Sequence, residues 1–191
     1  HDALPIYFGI EYSTFIRNNF KRFLDDCFIF WNKTKGNIEE FHKLLNSLDR
    51  NIRFTLETSE NELPFLDILV TRDTNNRVIT DIYYKPTDTK QYLDFHSCHP
   101  RHTKINVPYN LARRICAIIS NTELRNTRLN ELQSHLLKRN YPIDVIKIGI
   151  NKAKSLDLQT LRTPREQNQS ESVTYVETYN PNYESFSQTI I

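Results

Sequence analysis

Between Asn19 and Trp31 the chain first alternates and then fills with apolar residues. Phe20, Arg22 and Leu24 fall on one side of a two-residue period and Lys21 and Phe23 on the other, which predicts a strand. Cys27 to Trp31 is almost continuously apolar, as expected of a strand buried on both faces. Asp25 and Asp26 interrupt the run, so the two strands are expected to join there. Gly36 and Asn37 mark a helix start, with Glu40 three residues beyond the capping asparagine. Ile38, Phe41, Leu44, Leu45 and Leu48 share one face of a helix ending near Asp49. Residues 52–57 alternate as a strand. A polar turn from Thr58 to Glu62 leads into a second strand, Leu63 to Thr71, whose Pro64 suits a strand start. Asp73-Thr74-Asn75-Asn76 forms a turn, and Val78 to Tyr84 alternates again to close a hairpin.

From Lys85 to Lys104 no period holds, and the segment reads as an ordered connector. Beyond residue 105 the spacing becomes helical: Leu111, Ile115, Ile118 and Ile119 share a face, as do Leu129, Leu132, Leu136 and Leu137. A third short helix is expected from Ile143 to Ala153, after Tyr141-Pro142. Three short helices carrying Arg and Lys resemble a small helical nucleic-acid module, although periodicity alone does not prove a helix-turn-helix. Residues 163–172 have linker composition, Val173 to Tyr179 alternates as a strand, and Asn180-Pro181 suits a helix start. The predicted fold class is α+β.

Charge sharpens this picture. The net +2 conceals segregation: residues 1–100 hold 12 Lys and Arg against 15 Asp and Glu, residues 101–162 hold 12 against 4, and residues 163–191 hold 1 against 4. A basic block between acidic neighbours is the footprint of a phosphate-contacting surface, or else a solvated helical face. Glycine stands only at Gly9, Gly36 and Gly149, which excludes a Gly-rich phosphate loop. No apolar run approaches membrane-spanning length. Cys27, Cys98 and Cys116, odd in number and widely spaced, predict a reducing, intracellular compartment. Methionine is absent, so His1 is expected to be a cut or processed end of a longer protein.

The sharpest local feature is Phe23-Leu24-Asp25-Asp26 between two apolar strands. Adjacent carboxylates at a tight turn can face a common point and hold a hard cation of the magnesium type, Mg2+ or Mn2+. The plain alternative is that paired aspartates merely favour a turn. Set between apolar strands and followed by an amphipathic helix, the box resembles the Tyr/Phe-x-Asp-Asp box of reverse transcriptases. Further stretches are similar to the Penelope-like retroelement branch: Lys21 to Trp31, Phe54-Thr55-Leu56-Glu57, Leu63-Pro64-Phe65-Leu66-Asp67-Ile68-Leu69-Val70, Tyr84-Lys85-Pro86-Thr87-Asp88-Thr89, Tyr92-Leu93 to His99-Pro100, and Thr178-Tyr179-Asn180-Pro181.

The resemblance implies a partial polymerase palm over 1–84, with an antiparallel sheet and a packed helix. A connector would follow over 85–104, then a thumb-like helical bundle over 105–160 similar to the helix-turn-helix segment of animal reverse transcriptases. A linker over 161–172 and the start of a further connector over 173–191 complete it; in relatives that connector often leads to a GIY-YIG endonuclease. It further implies an RNA-directed DNA polymerase working by two-metal nucleotidyl transfer. Asp25 and Asp26 would be catalytic metal ligands. An RNA template with its DNA primer, and deoxynucleotides in the intact enzyme, would be the partners; a nuclear setting follows, with no membrane. The family also needs a third carboxylate on an earlier strand, the fingers and a nucleotide-selecting helix, for which no room exists before residue 20. Asp2 has no strand context to substitute. Residues 1–191 are therefore expected to be inactive alone. The alternative is a noncatalytic nucleic-acid-binding helical module or a decayed retroelement remnant.

Lys85, Lys104, Arg113, Arg114, Arg125 and Arg128 are the candidates for backbone contacts that position a duplex without reading its sequence. His96, Cys98, His99 and His102 cluster, but not at standard zinc spacings, and ordinary loop histidines are the simpler reading. Asp67 follows the Asp-Asp pair instead of preceding it, so a structural role is expected. Cys98 and Cys116 lack a base at useful spacing. Trp31 and the Phe and Tyr residues at alternating strand positions read as core, while Tyr83, Tyr84 and Tyr92 suit either packing or base stacking.

Overall fold

A computed structural model describes residues 14–32 and 36–163. The expectations for 164–191, a linker, a strand and a helix start, lie outside the described residues. The fold is α+β. In chain order the elements are α1 (14–19), β1 (Phe20–Phe23), β2 (Asp26–Ile29), α2 (Ile38–Ser47), β3 (Glu62–Phe65), β4 (Ile68–Arg72), β5 (Val78–Ile82), α3 (Arg101–Ile118), α4 (Thr122–Leu137), α5 (Ile143–Lys154) and α6 (Leu158–Arg162). The chain divides into two compact units, His1–Asp67 and Ile68–Ile191. β4 and β5, expected with the palm segment 1–84, therefore group with the helices.

In the first unit β1 and β2 pair antiparallel, Phe20 opposite Ile29 and Phe23 opposite Asp26. The tip is Leu24-Asp25, one residue earlier than the sequence suggests, because Leu24 takes the left-handed conformation (φ 52°) and Asp26 already belongs to β2. Arg22 Nε donates to the Leu24 carbonyl at 2.6 Å and braces that turn. β2 is not buried on both faces. It stops at Ile29, its inner residues are half-buried, and Phe30 is exposed. Trp31 does act as core: its ring lies 5.1 Å from buried Phe41 of α2 and edge-on to Phe15 at 5.6 Å. Asn37 caps α2 as expected, its side-chain oxygen accepting from Glu39 N at 2.9 Å.

Residues 52–57 are not a strand. Their central backbone groups are taken by α2: Phe54 N donates to Asn46 Oδ1 at 2.7 Å, and Phe54 O accepts from Asn46 Nδ2 and lies 2.7 Å from His42 Nε2. Alternation supplies a strand's side-chain pattern but not a neighbour for its ladder. The single strand expected from Leu63 to Thr71 is broken in two. Leu66 turns left-handed (φ 55°), so β3 ends at Phe65 and β4 begins at Ile68.

In the second unit β4 and β5 form the expected hairpin, Ile68 opposite Ile82 and Arg72 opposite Val78. Asp73 Oδ1 accepts from the backbone of Asn75 and Arg77, and Asn76 turns left-handed (φ 60°). β5 is fastened to the helices. Thr80 Oγ1 donates to Ile118 O at 2.5 Å, and Thr80 N donates to Ser120 Oγ at 3.1 Å. Asp81, only 7% exposed, receives Arg128 Nη2 at 2.6 Å and Nε at 3.2 Å, while Arg128 Nη1 reaches Glu131 at 2.9 Å. The core behind this pair comprises Ala112, Ile115, Cys116 and Ile119 of α3 and its cap, Leu129, Leu132 and Leu136 of α4, and Ile146 and Ala153 of α5. Leu137, predicted on the inner face of α4, is exposed at its last turn.

The connector is ordered: Arg139 Nε donates to Tyr92 O at 2.7 Å, and Phe95 N donates to Arg139 O at 3.0 Å. α3 starts at Arg101, four residues before the periodicity reveals it, because its first turn is polar. Pro108 inside α3 cannot donate to the preceding turn. It is fully buried where α5 crosses, and Gly149 makes the crossing possible. A Cβ at position 149 would stand 2.8 Å from Tyr109 N and 3.0 Å from Pro108 Cβ.

Two stability outcomes follow. Gly149→Ala should destabilise the helical unit by about 1–2 kcal/mol in urea unfolding, because the backbone clash outweighs the roughly 1 kcal/mol gained in helix propensity. Arg128→Ala should cost about 2–3 kcal/mol, since it strands the Asp81 carboxylate. Combining it with Asp81→Asn should recover part of that loss in a double-mutant cycle.

Candidate nucleic-acid interface

The six basic candidates do not share one environment. Arg128 is held by Asp81 and Glu131, and these charge-assisted bonds raise its pKa above the ordinary arginine value. Arg125 gives Nε and Nη2 to the carbonyl of Ile119, at 3.2 and 2.9 Å, closing the end of α3 with a cation. Arg113 donates to Leu161 O at 3.2 Å and so ties α6 to α3. Lys104 Nζ donates to Ser97 O at 2.8 Å and lies over the Phe95 ring. All four are half-buried, and each braces the fold. Lys85 and Arg114 are exposed.

Other exposed cations in the helical segment are Arg101, Lys138, Lys147, Lys152, Lys154 and Arg162. Three of them stand on α5, a helix from which no candidate was drawn. Lys147 and Lys152 fall between its buried positions Ile146, Gly149 and Ala153, and Lys154 follows the last of them. Lys152 Nζ sits 4.6 Å from the Tyr109 ring centroid, and Lys154 donates to Asn126 Oδ1 at 3.2 Å. Both lie in the last turn of α5, where cations complement the helix dipole.

Tyr84 and Tyr92 pack against the helical core. Burial pushes the Tyr84 hydroxyl up to about 12, with Tyr92 beside it adding to the shift. Lys90 Nζ lies 4.2 Å over the Tyr84 ring. Packing thus accounts for both rings, and Tyr83, next to Tyr84 in sequence, is half-buried. Burial likewise raises the Cys116 thiol pKa, which leaves that group a poor nucleophile. Among the described residues the buried Tyr141 hydroxyl has no hydrogen-bond partner.

Asp25 and Asp26 are exposed, one at the hairpin tip and one at the start of β2. Among the described residues no three His, Cys, Asp or Glu side chains come together to hold a metal. The pair thus offers two carboxylates without a third ligand, and a magnesium site is not completed by the described chain. Asp67 lies exposed at the β3–β4 turn and does not join them. In the connector His99 Nδ1 lies 3.2 Å from Ser97 Oγ, and His96, Cys98 and His102 do not assemble with it into a metal-holding group. No described helix is long and apolar enough to cross a membrane.

Comparison with known proteins bears on the helical segment. No curated protein and no solved structure matches the chain. Residues 91–151 match the animal helix-turn-helix domain, a span running from the docked connector through α3 and α4 into α5. That match fits a helical nucleic-acid-binding module.

Proposed function

We propose that the protein is a nucleic-acid-binding module in which α3, the turn after α4, and α5 present cations to the phosphate backbone. The observation that carries this reading is the helix-turn-helix match over 91–151, which falls on the most basic stretch of the chain. Lys85 and Arg114, with Lys138 at the C-cap of α4 and the exposed lysines of α5, serve as phosphate contacts. Lys104, Arg113, Arg125 and Arg128 hold the scaffold. Binding to a duplex should therefore weaken by about tenfold or more between roughly 50 and 200 mM salt, read by fluorescence anisotropy. Lys85→Gln and Arg114→Gln should each weaken binding a few-fold on every sequence, whereas salt-independent binding would overturn the reading.

A second reading is favoured by Phe23-Leu24-Asp25-Asp26 standing exposed at a hairpin tip. In it the chain is part of a Penelope-like reverse transcriptase. The helices grip an RNA template–DNA primer duplex, and Asp25 and Asp26 contribute to a Mg2+ or Mn2+ site that other residues complete. Residues 1–191 alone should then extend no primer with either ion, yet prefer an RNA–DNA hybrid to DNA of the same sequence. Primer extension by this chain, or a preference for DNA, would count against it.

A further inference from the structure

Residues 52–57 keep the alternation of a strand yet stand in no ladder, and their backbone is used on one side only. Phe54 N and Phe54 O are both bonded to the side chain of Asn46. Ile52 O accepts from Arg53 Nη1 at 3.1 Å, and the same nitrogen holds Asn46 O and Asp49 O at the end of α2. The carbonyls of 52 and 54 therefore both face α2, and no residue of the segment turns left-handed. In an extended chain the N–H and C=O of successive residues project to opposite edges. Those of Arg53, Thr55 and Glu57 consequently point away from α2. Among the described residues none of these backbone groups has a hydrogen-bond partner, and the Glu57 carboxylate has no ion pair. Arg53, Thr55, Leu56 and Glu57 are all exposed. An open edge of this kind is a template for another strand.

The sequence itself decides which strand fits. A second copy laid antiparallel about a two-fold axis must be centred on a residue whose N–H and C=O face the free edge. Those residues are 53, 55 and 57. Centring on 53 sets Arg against Arg, and centring on 57 sets Glu against Glu; like charges directly opposite are destabilising. Centring on 55 sets Thr55 against Thr55, Arg53 against Glu57 and Phe54 against Leu56. The Phe54–Leu56 pairs then fall at the non-hydrogen-bonded positions, where opposed side chains come closest. Arg53 remains a cation while Nη1 is held by carbonyls, and its Nε and Nη2 make no bond to a described residue. Asn46 occupies the opposite edge at Phe54, so no third strand can add there and the pairing closes at two.

We propose that residues 52–57 pair with the same segment of a second copy of this chain, antiparallel and centred on Thr55, to form a two-fold dimer. Six residues a side fall short of the roughly 20–30 of a standard interface, so the association is weak and concentration-dependent.

The test uses the full chain, 1–191, without nucleic acid, in sedimentation velocity from about 5 to about 500 µM. Monomer should give way to dimer with a midpoint on the order of 100 µM, and no larger species should form. Glu57→Lys, which sets a second cation against Arg53, should weaken association about tenfold. With Cys98→Ser as the parent, Thr55→Cys should cross-link under glutathione disulfide, because position 55 meets itself at a Cα separation of about 5.5 Å. Glu57→Cys, facing Arg53 instead of itself, should cross-link about tenfold more slowly. Positions 55, 57 and 98 are exposed, so unchanged melting temperatures confirm intact folds. A chain still monomeric at the highest concentration would overturn the proposal, as would a dimer that Glu57→Lys leaves unchanged. Equal cross-linking at 55 and 57 would overturn the register, and growth beyond the dimer would overturn the closure at two. Each of these failures leaves the nucleic-acid-binding reading standing, because none of the measurements involves a duplex.

Discussion

A carboxylate drawn into the interior has to be met by a cation, and in the helical unit Asp81 is met by Arg128. That requirement binds the last strand of the β4–β5 hairpin to α4, as Thr80 binds it to the end of α3. Strand and helices are consequently one cooperative body. The pair adds little net stability over an apolar contact of the same shape, but it is selective. A helix docked one turn out of register would leave Asp81 without its partner.

The same logic explains why a strongly basic segment does not offer all of its charge to solvent. Arg125 closes the carbonyl end of α3, Arg113 holds α6, Lys104 holds the connector at Ser97, and Arg139 holds it at Tyr92. Guanidinium groups suit this work because their several N–H donors reach carbonyls in a fixed planar geometry. The cations that remain exposed lie along α5, at the ends of helices and at Arg114.

What the sequence made legible was set by the range of the interaction responsible. Helices α2, α4 and α5, the Asp73–Asn76 turn and the hairpin around Asp25 depend on neighbours a few residues apart, and their periods and turn residues announce them. Residues 52–57 and Leu63 to Thr71 depart from their alternation because the deciding events are a side chain of α2 capturing Phe54 and a left-handed leucine at 66. Neither leaves a mark on alternation. Arg128 looked like a phosphate ligand because Asp81 lies 47 residues away in the chain. The Asp25–Asp26 turn could be read, but whether two carboxylates become a metal site depends on a third group that local pattern does not supply. The α5 lysines, by contrast, are legible from the helical period alone, set against the buried positions of their own helix.

Gly149 links the two sides of α5. Its missing side chain lets the helix settle onto Pro108, in a stretch of α3 where no amide hydrogen projects toward the preceding turn. The depth of that seat fixes how far Lys147 and Ile148 protrude on the far side. A methyl group added beneath the helix would lift the whole outer stripe, so the reach of the exposed side chains is governed by an atom that is absent from the buried one.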